Sequence, residues 1–287
     1  MTLREVLAHA EQRAQLSSQE HGELQYVVAA SRGWSRSDLL IRLDLPAEPG
    51  MQIFVEHAAQ QLADGYPAEY LTGYAAFCDI VVRVREGVLV PRPETESLVQ
   101  MAGDFIIEQD RPRALALDLC SGSGAVALAL AASLPQVTVV GLELDPISVS
   151  CSRESALDVG LSERVRFVQG NVLAAWGLAL ADFRSRTDVI VSNPPYVREQ
   201  RLFTAHASSP VEPVWALYGG TSGMVFYKRI IAQTCNWLRP GGLLLLEIDD
   251  GLEQGILNLF KQYGLQDGCW WPDLRGLPRY AEARRAE

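Results

Sequence analysis

The stretch Asn193-Pro194-Pro195-Tyr196 ends a run of apolar, β-branched residues, TDVIVS, with an amide, two rigid rings and a phenol. Each proline locks φ and removes a backbone donor. The segment therefore offers carbonyl oxygens and the Asn193 side-chain oxygen, with little freedom. Such a corner suits a substrate that brings N–H donors and no charge, an amide or amino NH2 group above all. Tyr196 can pack flat on a planar group. The plainer reading is a rigid proline turn with a capping asparagine.

A second constellation lies in LALDLCSGSGAVALALA. Gly122 and Gly124 let the backbone turn sharply and approach a ligand closely. With Ala127 they meet the loose G-x-G-x-x-A form of a dinucleotide loop. Asp118 and Ser121 make the loop more polar than hydride-transfer enzymes show, and there is no lysine of the kind a triphosphate site needs. About twenty residues further on, Glu143 closes the run VVGLE. A carboxylate there can accept two hydrogen bonds from ribose hydroxyls, and it repels a 2′-phosphate. The alternative is a tight turn followed by a solvated acid.

These residues need elements to hold them. Before residue 70 the periodicity is helical. Thr2 and Glu5 stand at capping-box spacing around Leu3, with Val6 and Leu7 continuing the stripe, and GELQYVVAAS, SRSDLLIRL and MQIFVEHAAQQLADG extend the pattern. Residues 1–70 are expected to form a small helical bundle. Residues 71–93 alternate apolar and polar side chains, which predicts a β-hairpin linker turning at Glu86-Gly87. Over residues 94–287 short apolar strands alternate with helices: ALALDLC, VTVVGLEL, RVRFVQG, TDVIVS and GGLLLLEI are the strands. PISVSCSRESALDVG is a helix with a proline in its first turn. The alternation predicts an α/β, Rossmann-like, doubly wound parallel sheet, whose ligands bind beyond the carboxyl ends of the strands. TDVIVS should lie beside the glycine-loop strand, and Asn193 then stands in the crevice.

The 287 residues suit one large domain or two smaller ones, and 48% hydrophobic residues supply a core. A net charge of −10 lowers the expectation of a protein that grips DNA or RNA by phosphate contacts. Cys78, Cys120, Cys151, Cys235 and Cys269 are scattered with no C-x-x-C pair, and His9, His21, His57 and His206 show no ligand spacing. Neither a metal site nor a disulfide framework is expected, and a reducing cytoplasm fits. The N-terminus lacks the layout of a signal peptide, and no apolar run approaches the roughly 20 residues of a membrane span.

Taken together, the glycine loop, Glu143 and NPPY resemble class I methyltransferases that use S-adenosylmethionine and modify planar nitrogens. Two groups share NPPY, the DNA adenine-N6 and the protein glutamine-N5 methyltransferases. YLTGYAAFCDIVVRVREGVLVPRPETESLV (residues 70–99), EPVWALYGGTSGMVFYKRI (212–230) and LRPGGLLLLEI (238–248) resemble the peptide chain release factor N5-glutamine methyltransferase family, and the likeness covers nearly the whole chain. The resemblance implies an S-adenosylmethionine-dependent domain over residues 94–287 and a substrate-recognition role for residues 1–70. It implies methyl transfer to the glutamine of the GGQ loop of release factors by a cytoplasmic monomer, without membrane or stable nucleic acid. It implies cofactor contacts from Asp118, Cys120, Ser121, Gly122, Ser123, Gly124, Glu143, Asn171, Val172 and Asn193, and no metal. Asn193, Pro194 and Tyr196 are the expected catalytic residues, and with Pro195 they form the substrate corner. There the Asn193 side-chain oxygen and the Pro194 carbonyl would accept the two N–H bonds of the glutamine amide and aim its nitrogen.

The chain departs from that family at named positions. Cys120 replaces a glycine of the loop D-L-G-T-G-S-G, so the backbone there must tolerate a side chain. Glu143 stands for the usual Asp, Asn171 for an Asp after the third strand, Ser155 for an Asn in the helix after the second, and Ser222 for an Asp in GGTSG. Asp249 and Asp250 stand where a glycine often follows LEI. These leave room for a paralogue with another protein substrate, such as a ribosomal-protein glutamine. A DNA adenine methyltransferase would need a basic cleft and a target-recognition domain, neither of which is visible. A non-catalytic S-adenosylmethionine-binding module has no need of NPPY, and a nicotinamide dehydrogenase would lack its catalytic acid.

Overall fold

The computed structural model describes residues 1–174, 176, 178–207 and 211–287, the side chains of 178, 179 and 205–207 excepted. The chain divides into two compact units, residues 1–74 with 206–212, and residues 75–205 with 213–287.

Helices α1 (Leu3–Ala14), α2 (Ser18–Ser31), α3 (Arg36–Arg42), α4 (Met51–Ala63) and α5 (Ala68–Thr72) make up the first unit. The first three are opened by reciprocal caps, Thr2 with Glu5, Ser17 with Glu20 and Ser35 with Asp38, each satisfying backbone donors that the helix itself leaves open. Leu3, Val6 and Leu7 of α1 pack with Leu24, Val27 and Val28 of α2 and with Val55, Ala59 and Leu62 of α4. Their three-and-four spacing is what gives each helix one apolar face.

The second unit opens with a hairpin of β1 (Tyr74–Phe77) and β2 (Ile80–Arg83), Tyr74 standing at the boundary. The hairpin turns at Cys78-Asp79, where Cys78 takes φ +47°, and not at Glu86-Gly87 as the sequence suggested. Glu86-Gly87 forms a separate turn, closed by the Val88 N–H donating to Arg85 O at 2.9 Å. Alternation runs through both places, so the pattern alone does not choose between them. A distant residue favours the earlier one: the Glu96 carboxylate accepts the Cys78 N–H at 2.8 Å.

A seven-stranded sheet follows, in the order β5-β4-β3-β6-β7-β9-β8. It comprises β3 (Ala114–Leu119), β4 (Val137–Glu143), β5 (Val165–Gln169), β6 (Thr187–Ser192), β7 (Leu238–Glu247), β8 (Leu265–Pro272) and β9 (Pro278–Arg285). Strands β3 to β7 pair in parallel, and β9 runs antiparallel to both β7 and β8. Helices α6 (Glu96–Glu108), α7 (Ala125–Ser133), α8 (Pro146–Asp158), α9 (Glu199–Ala207), α10 (Val225–Thr234) and α11 (Glu253–Gln262) lie among the strands. All six residues of β6 are buried, as a strand covered on both faces must be. As expected, β6 lies beside the glycine-loop strand, with Leu119 opposite Ser192. The chain proceeds from β3 to β4 on one side and returns to β6 on the other, which makes the β3–β6 junction a switch point and a natural ligand crevice.

The antiparallel pair β8 and β9 has no counterpart in the sequence expectations. In β8 only Leu265 is fully buried, so LQDGCWWP shows no alternation to read.

Candidate active site

Three residues of the loop after β3 take left-handed backbone angles: Cys120 (φ +60°), Gly122 (+52°) and Gly124 (+82°). Glycine does so freely, whereas Cys120 carries the penalty of a Cβ in that region. The two glycines serve different ends. A side chain on Gly124 would stand 2.5 Å from Phe167 Cζ, so its smallness packs the loop onto the sheet. A side chain on Gly122 would meet nothing within 4 Å, and the residue lines a cavity.

Asp118 sits under the loop, only 2% exposed, and accepts the Ala127 N–H at 3.2 Å. It thereby serves the first turn of α7, whose own N-cap, Gly124, has no side chain to offer. Burial, opposed by that hydrogen bond and reinforced by nearby Glu143, pushes the Asp118 carboxyl up to about 8. Burial also raises the Cys120 thiol.

Glu143 ends β4 and ties two loops together. One oxygen accepts the Gly122 N–H at 2.8 Å, and the other accepts Leu144 N–H (2.7 Å) and Asp145 N–H (2.9 Å). Burial raises its carboxyl, and these donors work against the rise. A carboxylate has about four acceptor sites, so one remains for a ligand hydroxyl, fewer than the two expected from sequence. Asn171 accepts the Leu173 N–H at 2.8 Å through its carbonyl.

On the other side of the crevice, the Asn193 NH2 donates to Thr95 Oγ at 3.0 Å, and its Oδ1 accepts from no described residue. The Thr95 hydroxyl donates to Glu247 at 2.6 Å, and the Tyr196 phenol donates to the other Glu247 oxygen at 3.1 Å. Burial raises the Glu247 carboxyl, with Thr95, Arg279 and Tyr196 opposing; burial and Glu247 raise the Tyr196 phenol. The segment after the prolines is clamped by a bridge between Val197 and Tyr218, the Gly219 N–H donating to Val197 O at 2.9 Å. A side chain on Gly219 would lie 2.6 Å from the Tyr196 Cα.

Between these two ends lies a cavity of about 420 Å³, a size suited to a small-molecule cofactor. Of the sequence-predicted site residues, Cys120, Gly122, Glu143, Asn171, Val172, Asn193 and Pro195 line it. Asp118, Ser121, Ser123, Gly124, Pro194 and Tyr196 are not among the lining residues, although Pro194 stands between two that are. Tyr196 in particular gives its phenol to Glu247 and packs against the core, rather than lying flat in the cavity. Sequence reasoning gave no role to Asp145, Trp215, Tyr218 or Phe226, which also line the cavity, nor to Thr95 and Glu247, which are hydrogen-bonded in line with Asn193. PRPETE carries Thr95, so a signal for it existed, but only as a motif without a role. Neither metal-ligand clusters nor histidines in the cavity wall occur among the described residues.

Two of the departures from the family pattern have structural counterparts. Ser155 Oγ accepts the Arg83 N–H at 2.8 Å, which holds β2 on α8. Asp249 pairs with Arg201 at 2.8 Å and Arg198 at 3.4 Å, bracing the chain just beyond NPPY.

The wall fits a nucleoside-bearing cofactor. Glu143 offers an acceptor for a ribose hydroxyl, Gly122 leaves open space, and Leu142, Val172 and Phe226 give an apolar surface for a planar base. The sheet order and this crevice define a class I methyltransferase, a class that generally uses S-adenosylmethionine. Residues 103–211 match the methyltransferase small domain and residues 5–73 the PrmC N-terminal domain. The release factor glutamine methyltransferase of Moorella thermoacetica is 34% identical over 295 aligned residues, covering 100% of both chains. That of Mycolicibacterium smegmatis is 34% identical, covering 92% of this chain and 90% of its own. The catalytic domain of hMettl16, solved with a MAT2A 3′UTR hairpin, shares the fold at TM-score 0.58 and 14% identity, covering 84% of this chain and 83% of that one. The chain belongs to the release factor glutamine methyltransferase family.

Proposed function

We propose that this enzyme transfers a methyl group from S-adenosylmethionine to the side-chain amide nitrogen of the glutamine in the GGQ motif of peptide chain release factors. The observation that carries this reading is the shared cavity: Asn193 and Pro195 line the same space as Gly122 and Glu143. A neutral NH2 acceptor can thus meet a nucleoside-linked donor there. S-adenosylmethionine supplies an activated methyl on its sulfonium. An amide nitrogen is a poor nucleophile, so the enzyme's work is chiefly alignment. Asn193 Oδ1, without a protein partner among the described residues, accepts one amide proton, and the Pro194 carbonyl accepts the other. These acceptors hold the nitrogen in line and stabilise the positive charge that develops on it. Methyl transfer leaves the cofactor as the neutral thioether, and the methylated, protonated amide is strongly acidic and loses its extra proton to water without a dedicated base.

Glu143 holds a ribose hydroxyl, Cys120, Gly122, Asn171 and Val172 border the cofactor, and Asp118, Ser121, Ser123 and Gly124 set the loop's shape from behind. The helical unit recognises the protein substrate. Among the described residues no helix is long and apolar enough to cross a membrane and all five cysteines are free, which fits a cytoplasmic enzyme. The test is mass spectrometry of release factor after incubation with enzyme and labelled cofactor. A single methyl on the GGQ glutamine is expected; methyl on a ribosomal protein instead would redirect the assignment.

A further inference from the structure

PRPETE is a motif for which the reading above has no chemical use. Its threonine stands at the entrance to α6, where a hydroxyl ordinarily caps its own helix. Thr95 does not do so; no side-chain cap is made there. Its hydroxyl instead crosses to Glu247, a residue 152 positions away, at the end of β7 and only 1% exposed.

With Glu247 ionised, the order of donors along this line is fixed. An ionised carboxylate has acceptors only. The hydroxyls of Thr95, at 2.6 Å, and Tyr196, at 3.1 Å, must therefore both donate to Glu247. Arg279, 3.9 Å from the same carboxylate, favours the anion. Thr95 has one proton, and it is now committed. Toward Asn193, at 3.0 Å, Thr95 can present only a lone pair. Only the NH2 arm of the Asn193 amide can face a lone pair, because the inverted amide would set two acceptors against each other. The carbonyl arm is left for the cavity that Asn193 lines.

We infer that Glu247, acting through Thr95, fixes which end of the Asn193 amide faces the cavity, and that Thr95 is a positioning residue for methyl transfer. The orientation stands on the hydrogen-bond geometry with Glu247 ionised; its consequence for rate rests on the function proposed above. The line also polarises: negative charge on Glu247, passed through two hydrogen bonds, makes Asn193 Oδ1 a better acceptor. That suits an atom facing a nitrogen that gains positive charge.

The test uses the full chain and has two readouts. The first is independent of activity: hydrogen exchange of the Asn193 side-chain NH2 by NMR, its signals assigned by their loss in Asn193→Ala. Exchange should be slowed in the parent protein, fast in Thr95→Val, and slowed again in Thr95→Ser. The second is steady-state methylation of release factor. In Thr95→Val, kcat should fall by roughly 10- to 100-fold, the scale of a misplaced reacting group. The KM for release factor should change little and cofactor affinity should be kept, while Thr95→Ser recovers most of the rate. Glu247→Gln, which cannot accept both hydroxyls on the same terms, should lower kcat in the same way if Thr95→Val proves unstable. Unchanged Asn193 exchange in Thr95→Val would overturn the orientation. A kcat near the parent value in both variants, or a loss that follows cofactor affinity and is not rescued by serine, would overturn the positioning role. A parent enzyme that leaves release factor unmodified would overturn the function and leave the exchange result standing.

Discussion

The two ends of the crevice are built in different ways. At the end of β3 and β4, the working parts are chiefly main chain: left-handed residues and a glycine with open space beside it, joined by one side-chain carboxylate that three backbone N–H groups hold. At the end of β6 and β7, they are side chains joined in a line, Asn193 to Thr95 to Glu247 to Tyr196. A main-chain cradle suits a ligand that is the same in every turnover. A wired side chain suits the one atom whose acceptor must point in a fixed direction while a bond forms.

If that contrast is right, damage at the two ends should look different. The largest effect is expected at the wired end. Asn193→Ala should lower kcat at least 100-fold, the scale seen on losing a donor or acceptor that serves the transition state, with cofactor affinity nearly unchanged. Steady-state kinetics beside calorimetric titration of the cofactor would measure both. At the main-chain end, Glu143→Ala should weaken cofactor binding by roughly 10- to 100-fold, since a hydrogen bond to a charged group contributes about 1.5–3 kcal/mol, and kcat at saturating cofactor should move much less. Equal loss of kcat and affinity in both variants would erase the distinction.

A third prediction concerns pH. The folded protein keeps on Asp118 a proton that the unfolded chain releases near pH 4, because burial pushes this carboxyl up to about 8. Folding therefore takes up a proton between those values, and the Asp118 contribution to stability is lost as pH rises through that window. Urea midpoints should fall from pH 5 to pH 8, and Asp118→Asn should flatten the trend. The smallest effect is expected from Cys120→Gly. It relieves a left-handed non-glycine residue but loosens the unfolded chain, so the net change in stability should stay within about 1 kcal/mol.

Much of the crevice was legible in the sequence because its signals are local. Gly122, Gly124 and Glu143 follow strands that read as apolar runs, and TDVIVS-NPPY marks its own strand end. Cys120 was legible as an oddity, and its φ of +60° is the cost that oddity implied. What could not be read is whatever depends on residues far apart. Thr95 reaches Asn193 across 98 positions and Glu247 across 152, and no periodicity encodes such a meeting. Tyr196 read as a platform for a planar group because NPPY was considered alone; with Glu247 beside it, the phenol belongs to the support. The hairpin turn was misplaced for a similar reason, since a carboxylate 18 positions away holds Cys78-Asp79. Strand β8 escaped because an exposed strand has no burial pattern to impose on its sequence.

The central claim is that Asn193 holds a glutamine amide against a methyl donor bound at Glu143. The most direct measurement is mass spectrometry of the GGQ peptide from release factor, treated in parallel with the parent enzyme and with Asn193→Ala, both saturated with cofactor. The account predicts one added methyl on the glutamine with the parent and almost none with the variant. A methylated peptide in both samples, or in neither, would contradict it.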